Sequence, residues 1–142
     1  MKLLVMNGPN LNLLGIREPE LYGTGTYADL VKFIQKAAKE AGVSADVFQT
    51  NREWELLEAI QKARGEYDGI VINAAAYAHT SIALLDALRA VALPTVEVHL
   101  TDVSKREPYR QHSYVAEAAL KTIAGRGFEG YREAILFLRD RK

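Results

Sequence analysis

Cysteine is absent from the chain. Disulfides, thiolate nucleophiles and Cys-ligated zinc are therefore excluded, while the compartment is left open. Neither sign of charge is in excess: 18 Lys and Arg stand against 18 Asp and Glu, which gives no pull toward nucleic acid or an anionic membrane. No apolar run approaches the roughly 18 residues of a membrane span. The apolar run that opens the chain ends at Asn7-Gly8-Pro9, too short for a signal peptide, so a cytoplasmic location is the expectation. The three histidines form no His-x-His or His-x-x-x-His pair, and no metal is expected. Gly-x-Ser-x-Gly is missing, and the lysines fall mainly on helix faces and loops, so neither a serine nucleophile nor a Schiff-base lysine is indicated.

What is present suits one soluble domain over residues 1–142, with 49% hydrophobic and 25% charged residues. A chain of this size buries roughly two-thirds of the surface its unfolded form exposes. Short runs at Leu3 to Met6, Asp68 to Ile72 and Thr95 to Val98 read as strands, and Val43 to Gln49 alternates like one. Helical periodicity covers Thr26 to Glu40, with Thr26 as cap and Gly42 as stop, then Glu53 to Ala63, Ser81 to Val91 and Glu129 to Arg139. Val115 to Ala124 reads either as an alanine-rich helix or, around Leu120 to Ile123, as a fifth strand. Strands alternating with helices predict a parallel sheet covered on both faces. In such folds ligands bind beyond the carboxyl ends of the strands.

Three polar segments leave those ends: Asn7 to Gly25, Asn73 to Thr80 and His99 to Ser113. In the first, Arg17 and Tyr22 flank Pro19. They read either as a lid loop with a surface Arg and a packing Tyr, or as an activated tyrosine. Ionising a free tyrosine at pH 7 costs roughly 4 kcal/mol, and a nearby guanidinium offsets much of that. In the second, Thr80 or Ser81 caps the next helix, and the alanines leave Asn73, Tyr77 and His79 as the only long side chains. In the third, Glu97 and His99 share one side of a strand. They read either as a structural pair or as a general acid whose imidazole is oriented by a carboxylate. Arg106, Arg110 and His112 read as a solvated basic loop. Gly23-Thr24-Gly25-Thr26 hints at a phosphate loop, but it is far from the first strand and has no Lys.

These segments resemble the type II 3-dehydroquinate dehydratases. The resemblance is carried by Asn7-Gly8-Pro9-Asn10-Leu11-Asn12-Leu13-Leu14-Gly15, Arg17-Glu18-Pro19-x-x-Tyr22-Gly23, Tyr77-x-His79-Thr80-Ser81, Asp86-Ala87-Leu88, Val96-Glu97-Val98-His99-Leu100 and Arg110-x-His112-Ser113-Tyr114. It implies a flavodoxin-like α/β fold, a doubly wound parallel sheet of about five strands between two helical layers. It implies anti elimination of water from 3-dehydroquinate through an enolate, in the shikimate pathway, with no cofactor, by a dodecamer of trimers. Tyr22 would be the base, Arg17 its electrostatic partner, His99 the acid and Glu97 its holder, with Asn12 positioning a water. Asn73, His79, Arg110 and the backbone at Leu100 and Thr101 would bind substrate, and Asp86 would reach in from a neighbouring subunit. A second reading, a flavodoxin-like module for a nucleotide or flavin, rests on Gly23 to Thr26.

The chain departs from the family pattern in three places. Asn73-Ala74-Ala75-Ala76-Tyr77 replaces Asn-Pro-Gly-Ala-Tyr, Thr101-Asp102 replaces Ser-Asn, and Trp54 replaces a Gly. A carboxylate at Asp102 is expected to weaken binding of an anionic substrate, and Trp54 to alter a subunit contact.

Overall fold

Leu3 to Met6 and Ile70 to Ile72 become central strands because they are apolar on both faces. The computed structural model describes residues 1–16, 18, 20 and 25–141. In it, β1 (Lys2–Asn7), β2 (Ser44–Gln49), β3 (Gly69–Asn73), β4 (Thr95–His99) and β5 (Lys121–Ala124) form one parallel sheet in the order β2-β1-β3-β4-β5. This is the flavodoxin-like order. Leu3, Val5, Val71, Val96 and Val98 point to one face, under α1 (Tyr27–Ala41) and α4 (Glu129–Asp140). Leu4, Met6, Ile70 and Ile72 point to the other, under α2 (Glu53–Ala63) and α3 (Ile82–Val91). Every one of these side chains is at most 5% exposed, and each such burial is worth about 1.5–3 kcal/mol.

Local chemistry sets the helix ends. Thr26 caps α1: its hydroxyl accepts from Asp29 N at 3.1 Å, while the Asp29 carboxylate accepts from Thr26 N at 3.0 Å. Gly42, left-handed at φ 73°, ends it. Ser81, rather than Thr80, caps α3 by accepting from Leu84 N at 3.0 Å. The ambiguous segment resolves into both elements in miniature: a 3₁₀ turn over Val115–Glu117, then β5. Leu120 N donates to Thr95 O at 2.8 Å, which starts the pairing with β4 and ends the alanine-rich turn. Among the described residues no helix is long and apolar enough to cross a membrane.

Candidate active site

β1, β3 and β4 end on Asn7, Asn73 and His99, so three adjacent strands deliver polar residues to one edge of the sheet. Asn7 and Asn73 stand opposite one another in the register. The chain turns sharply after Asn7 because Gly8 N donates to Asn73 O at 2.8 Å, and a Cβ on Gly8 would lie 2.5 Å from Ala74 O. Only glycine permits that approach. Beneath the turn, Tyr131 of α4 is fully buried, with its hydroxyl donating to Asn7 Oδ1 at 2.6 Å and accepting from Asn73 Nδ2 at 3.0 Å. Burial pushes this hydroxyl far above the ordinary tyrosine value, so it stays neutral and keeps its proton.

Glu97 and His99 share a face of β4, as period-two spacing requires. Glu97 is 0% exposed. Its Oε1 accepts from Thr122 Oγ1 at 2.9 Å, its Oε2 accepts from Ser113 Oγ, and His99 Nε2 stands 2.9 Å from Oε2. Among the described residues Nε2 forms no hydrogen bond despite this approach, so the contact is an ion pair only when the imidazole carries a proton on both nitrogens. Burial pushes the carboxyl up. The His99 contact and charge, then the two hydroxyls, pull it further down, so its pKa lies below the ordinary value. The result is a fixed negative charge against the imidazole, at the floor of a pocket.

That pocket is lined by Pro9, Asn10, Leu11, Asn73, Ala75, Ala76, His79, His99, Leu100, Thr101, Val103, Arg106 and Arg110. The His79 and His99 rings stack at 6.0 Å between centroids and 16° between planes. His79 Nδ1 is 2.8 Å from His112 O. A carbonyl only accepts, so Nδ1 carries a hydrogen, and Nε2 is the nitrogen left for other partners. Glu107 accepts from Arg110 Nε at 2.6 Å and stands 3.9 Å from Arg106 Nε. Its own backbone N–H, then Arg110, hold its carboxyl below the ordinary value. Two guanidiniums stand on that wall, planar donors of the kind that bind a carboxylate.

Of the residues singled out from sequence, Asn73, His79, His99, Leu100, Thr101 and Arg110 meet at this pocket, and Glu97 supports it. Arg17 and Tyr22 lie outside the described residues, as do Gly23 and Thr24. Of the rest of the suspected phosphate loop, Gly25 lies against the Phe128 ring and Thr26 uses its hydroxyl to cap α1. Asn12 does not line the pocket; it is exposed, with Oδ1 accepting from Gln49 Nε2 at 3.3 Å. The chain enters its turn through Asn10, left-handed at φ 72°. Asp86 is exposed on α3, one turn from exposed Ile82, away from its own pocket. Asp102 faces away as well. Its Oδ1 accepts from Ser104 Oγ at 2.5 Å and Ser104 N at 3.1 Å, bonds that hold its carboxyl low and engage it outside the pocket lining. Arg106, read from sequence as solvated, is a wall residue with an 11% exposed side chain. Its signal was the four-residue spacing to Arg110 across Pro108, which opens the 3₁₀ turn Pro108–Arg110.

An oriented imidazole under a cationic wall defines an enzyme site that moves protons on a small anion. Comparison with known proteins narrows that class. The family model for dehydroquinase class II matches residues 1–139. The chain is 52% identical over 134 residues to a 3-dehydroquinate dehydratase of Vibrio parahaemolyticus, covering 94% of this chain and 90% of that protein. It is 49% identical over 140 residues to one of Clostridium acetobutylicum, covering 99% and 97%. The type II dehydroquinase structure from Butyrivibrio crossotus superposes with a TM-score of 0.96 at 42% identity, over 99% of this chain and 98% of that one. The chain belongs to the class II dehydroquinase family.

Proposed function

We propose that this chain is a 3-dehydroquinate dehydratase, a hydro-lyase of the shikimate pathway, acting as one catalytic domain over residues 1–142. The observation that carries the reading is the buried Glu97 carboxylate 2.9 Å from His99 Nε2, at the floor of a pocket walled by Arg106 and Arg110, in a chain of this family. The base, Tyr22 with Arg17 as its electrostatic partner, removes a proton from the carbon next to the substrate ketone. The electron pair moves onto the carbonyl oxygen as an enolate, near a water held by Asn12. The enolate then collapses, the β-hydroxyl leaves with a proton from His99, and enone plus water result. Glu97 keeps the imidazole oriented. Arg110, Asn73, His79 and the backbone of Leu100 and Thr101 hold the carboxylate and hydroxyls.

Asp86, exposed beside Ile82 on α3, completes a neighbouring subunit's site in a cytoplasmic dodecamer of trimers. The exposed apolar Ile16, Trp54 and Ile82, at 78%, 56% and 55%, support association. Adding 3-dehydroquinate to the pure protein and following the enone absorbance of the product tests the reading. Steady growth that survives EDTA is expected. No growth at millimolar substrate overturns it.

A further inference from the structure

We propose that Tyr131 is a positioning residue for this pocket: its hydroxyl holds the Asn73 amide, and through that amide the left-handed backbone at Ala75 that forms part of the pocket wall.

The hydrogen bonds leave each group one orientation. Ala75 N can only donate, and it does so to Asn73 Oδ1 at 3.1 Å. The other end of the amide, Nδ2, must then face Tyr131 and donate to its oxygen at 3.0 Å. The tyrosine proton is left for Asn7 Oδ1 at 2.6 Å. Asn7 and Asn73 end neighbouring strands, so one hydroxyl from α4 ties together the two strand ends beneath the pocket.

The chain needs this clamp at one particular place. Ala75 has φ 52°, a left-handed conformation that disfavours any residue with a Cβ. The family pattern has glycine there, which adopts it freely. Here the Asn73 amide holds the turn, and Tyr131 holds the amide. Without the hydroxyl, the amide can rotate, Ala75 N loses its acceptor, and the turn relaxes away from positive φ. Asn73, Ala75 and Ala76 would shift in the wall together. The effect falls on substrate binding, since the Glu97–His99 pair lies on β4 and shares none of these bonds.

The kinetic arm of the test rests on the dehydratase reading; the exchange arm does not. Tyr131→Phe should raise KM for 3-dehydroquinate about tenfold and lower kcat less than about threefold, as expected when a binding wall loses its anchor. In an Ala75→Gly background the same change should raise KM by less than about threefold, because glycine holds the turn without help. By amide hydrogen exchange without substrate, Ala75 N–H should exchange at least about tenfold faster in Tyr131→Phe, relative to Ile60 N–H in the α2 core. In the wild-type protein one Asn73 Nδ2 proton should exchange as slowly as Ile60 N–H, a measurement that stands even if the variant does not fold. A KM penalty equal in both backgrounds, Ala75 exchange rising only in step with Ile60, or a freely exchanging Asn73 amide overturns the proposal. If the wild type turns over no 3-dehydroquinate, the functional reading fails, and the exchange data still decide the role of Tyr131.

Discussion

Replacing Glu97 by glutamine keeps the shape of the side chain and removes its charge. The carboxylate accepts two hydroxyl hydrogen bonds, from Thr122 and Ser113, and sits 2.9 Å from His99 Nε2. Hydrogen bonds to a charged group contribute about 1.5–3 kcal/mol and neutral ones about 0.5–1.5 kcal/mol, so weakening two of them costs roughly 2–3 kcal/mol. Relief of the buried charge's desolvation offsets part of this, leaving a net loss of about 1–2 kcal/mol at neutral pH. The pH dependence has a definite sign. The Glu97 pKa is lowered in the folded state, so its contribution is fully present above the ordinary value of 4.5 and is lost as pH falls through the lower folded value. The stability gap between wild type and Glu97→Gln should therefore be open at pH 7 and close in acid. Urea denaturation across that range measures it. Turnover should fall by about a hundredfold at little change in KM, the low end of what a well-placed general acid contributes. A gap that stays constant or widens on acidification, or a variant with near-normal turnover, would refute the reasoning.

Tyr22→Phe should cut kcat by orders of magnitude with substrate binding nearly intact, and Arg17→Ala should also cut it; a Tyr22→Phe enzyme near normal turnover makes Glu18 or Glu20 the next candidate base. Asp86→Ala should weaken substrate affinity in the assembled protein, read from KM and sedimentation together; no change in either removes its role across the subunit boundary. Asp102→Asn should leave KM within about twofold, because the carboxylate is engaged by Ser104 rather than by the pocket. Gly8→Ala should destabilise by about 1–3 kcal/mol in urea melts, since the new Cβ meets Ala74 O at 2.5 Å and the turn must open; an unchanged midpoint contradicts the close approach.

Period and punctuation carried much of this molecule. Residues 53–63 form the helix expected from Trp54, Leu57 and Ile60, and the Glu97–His99 pair follows from two-residue spacing on a strand. What escaped the sequence depends on direction or on distance along the chain. Asp102 shows its charge but not that a local turn points it at Ser104. Arg106 shows its charge but not the 3₁₀ turns that fold it onto the wall. The segment from Val115 to Ala124 carries alanine content and edge-strand residues together, and only pairing with Thr95 and Val96 settles where one ends. Nothing local to Tyr131 reports that its hydroxyl meets Asn7, 124 positions earlier.

That last separation bears on how the protein is made. A chain emerging from the ribosome forms β1 first and α4 last, and parallel pairing is slow because distant segments must close before contacts reward them. Until α4 docks, Val71, Val96 and Val98 lack the cover of Tyr131, Ala134, Ile135 and Leu138. The two asparagines at the strand ends are also without the hydroxyl that joins them. A nascent chain therefore carries His99 and both wall arginines before it has a finished pocket, and the competence of the site arrives with the closing of the fold.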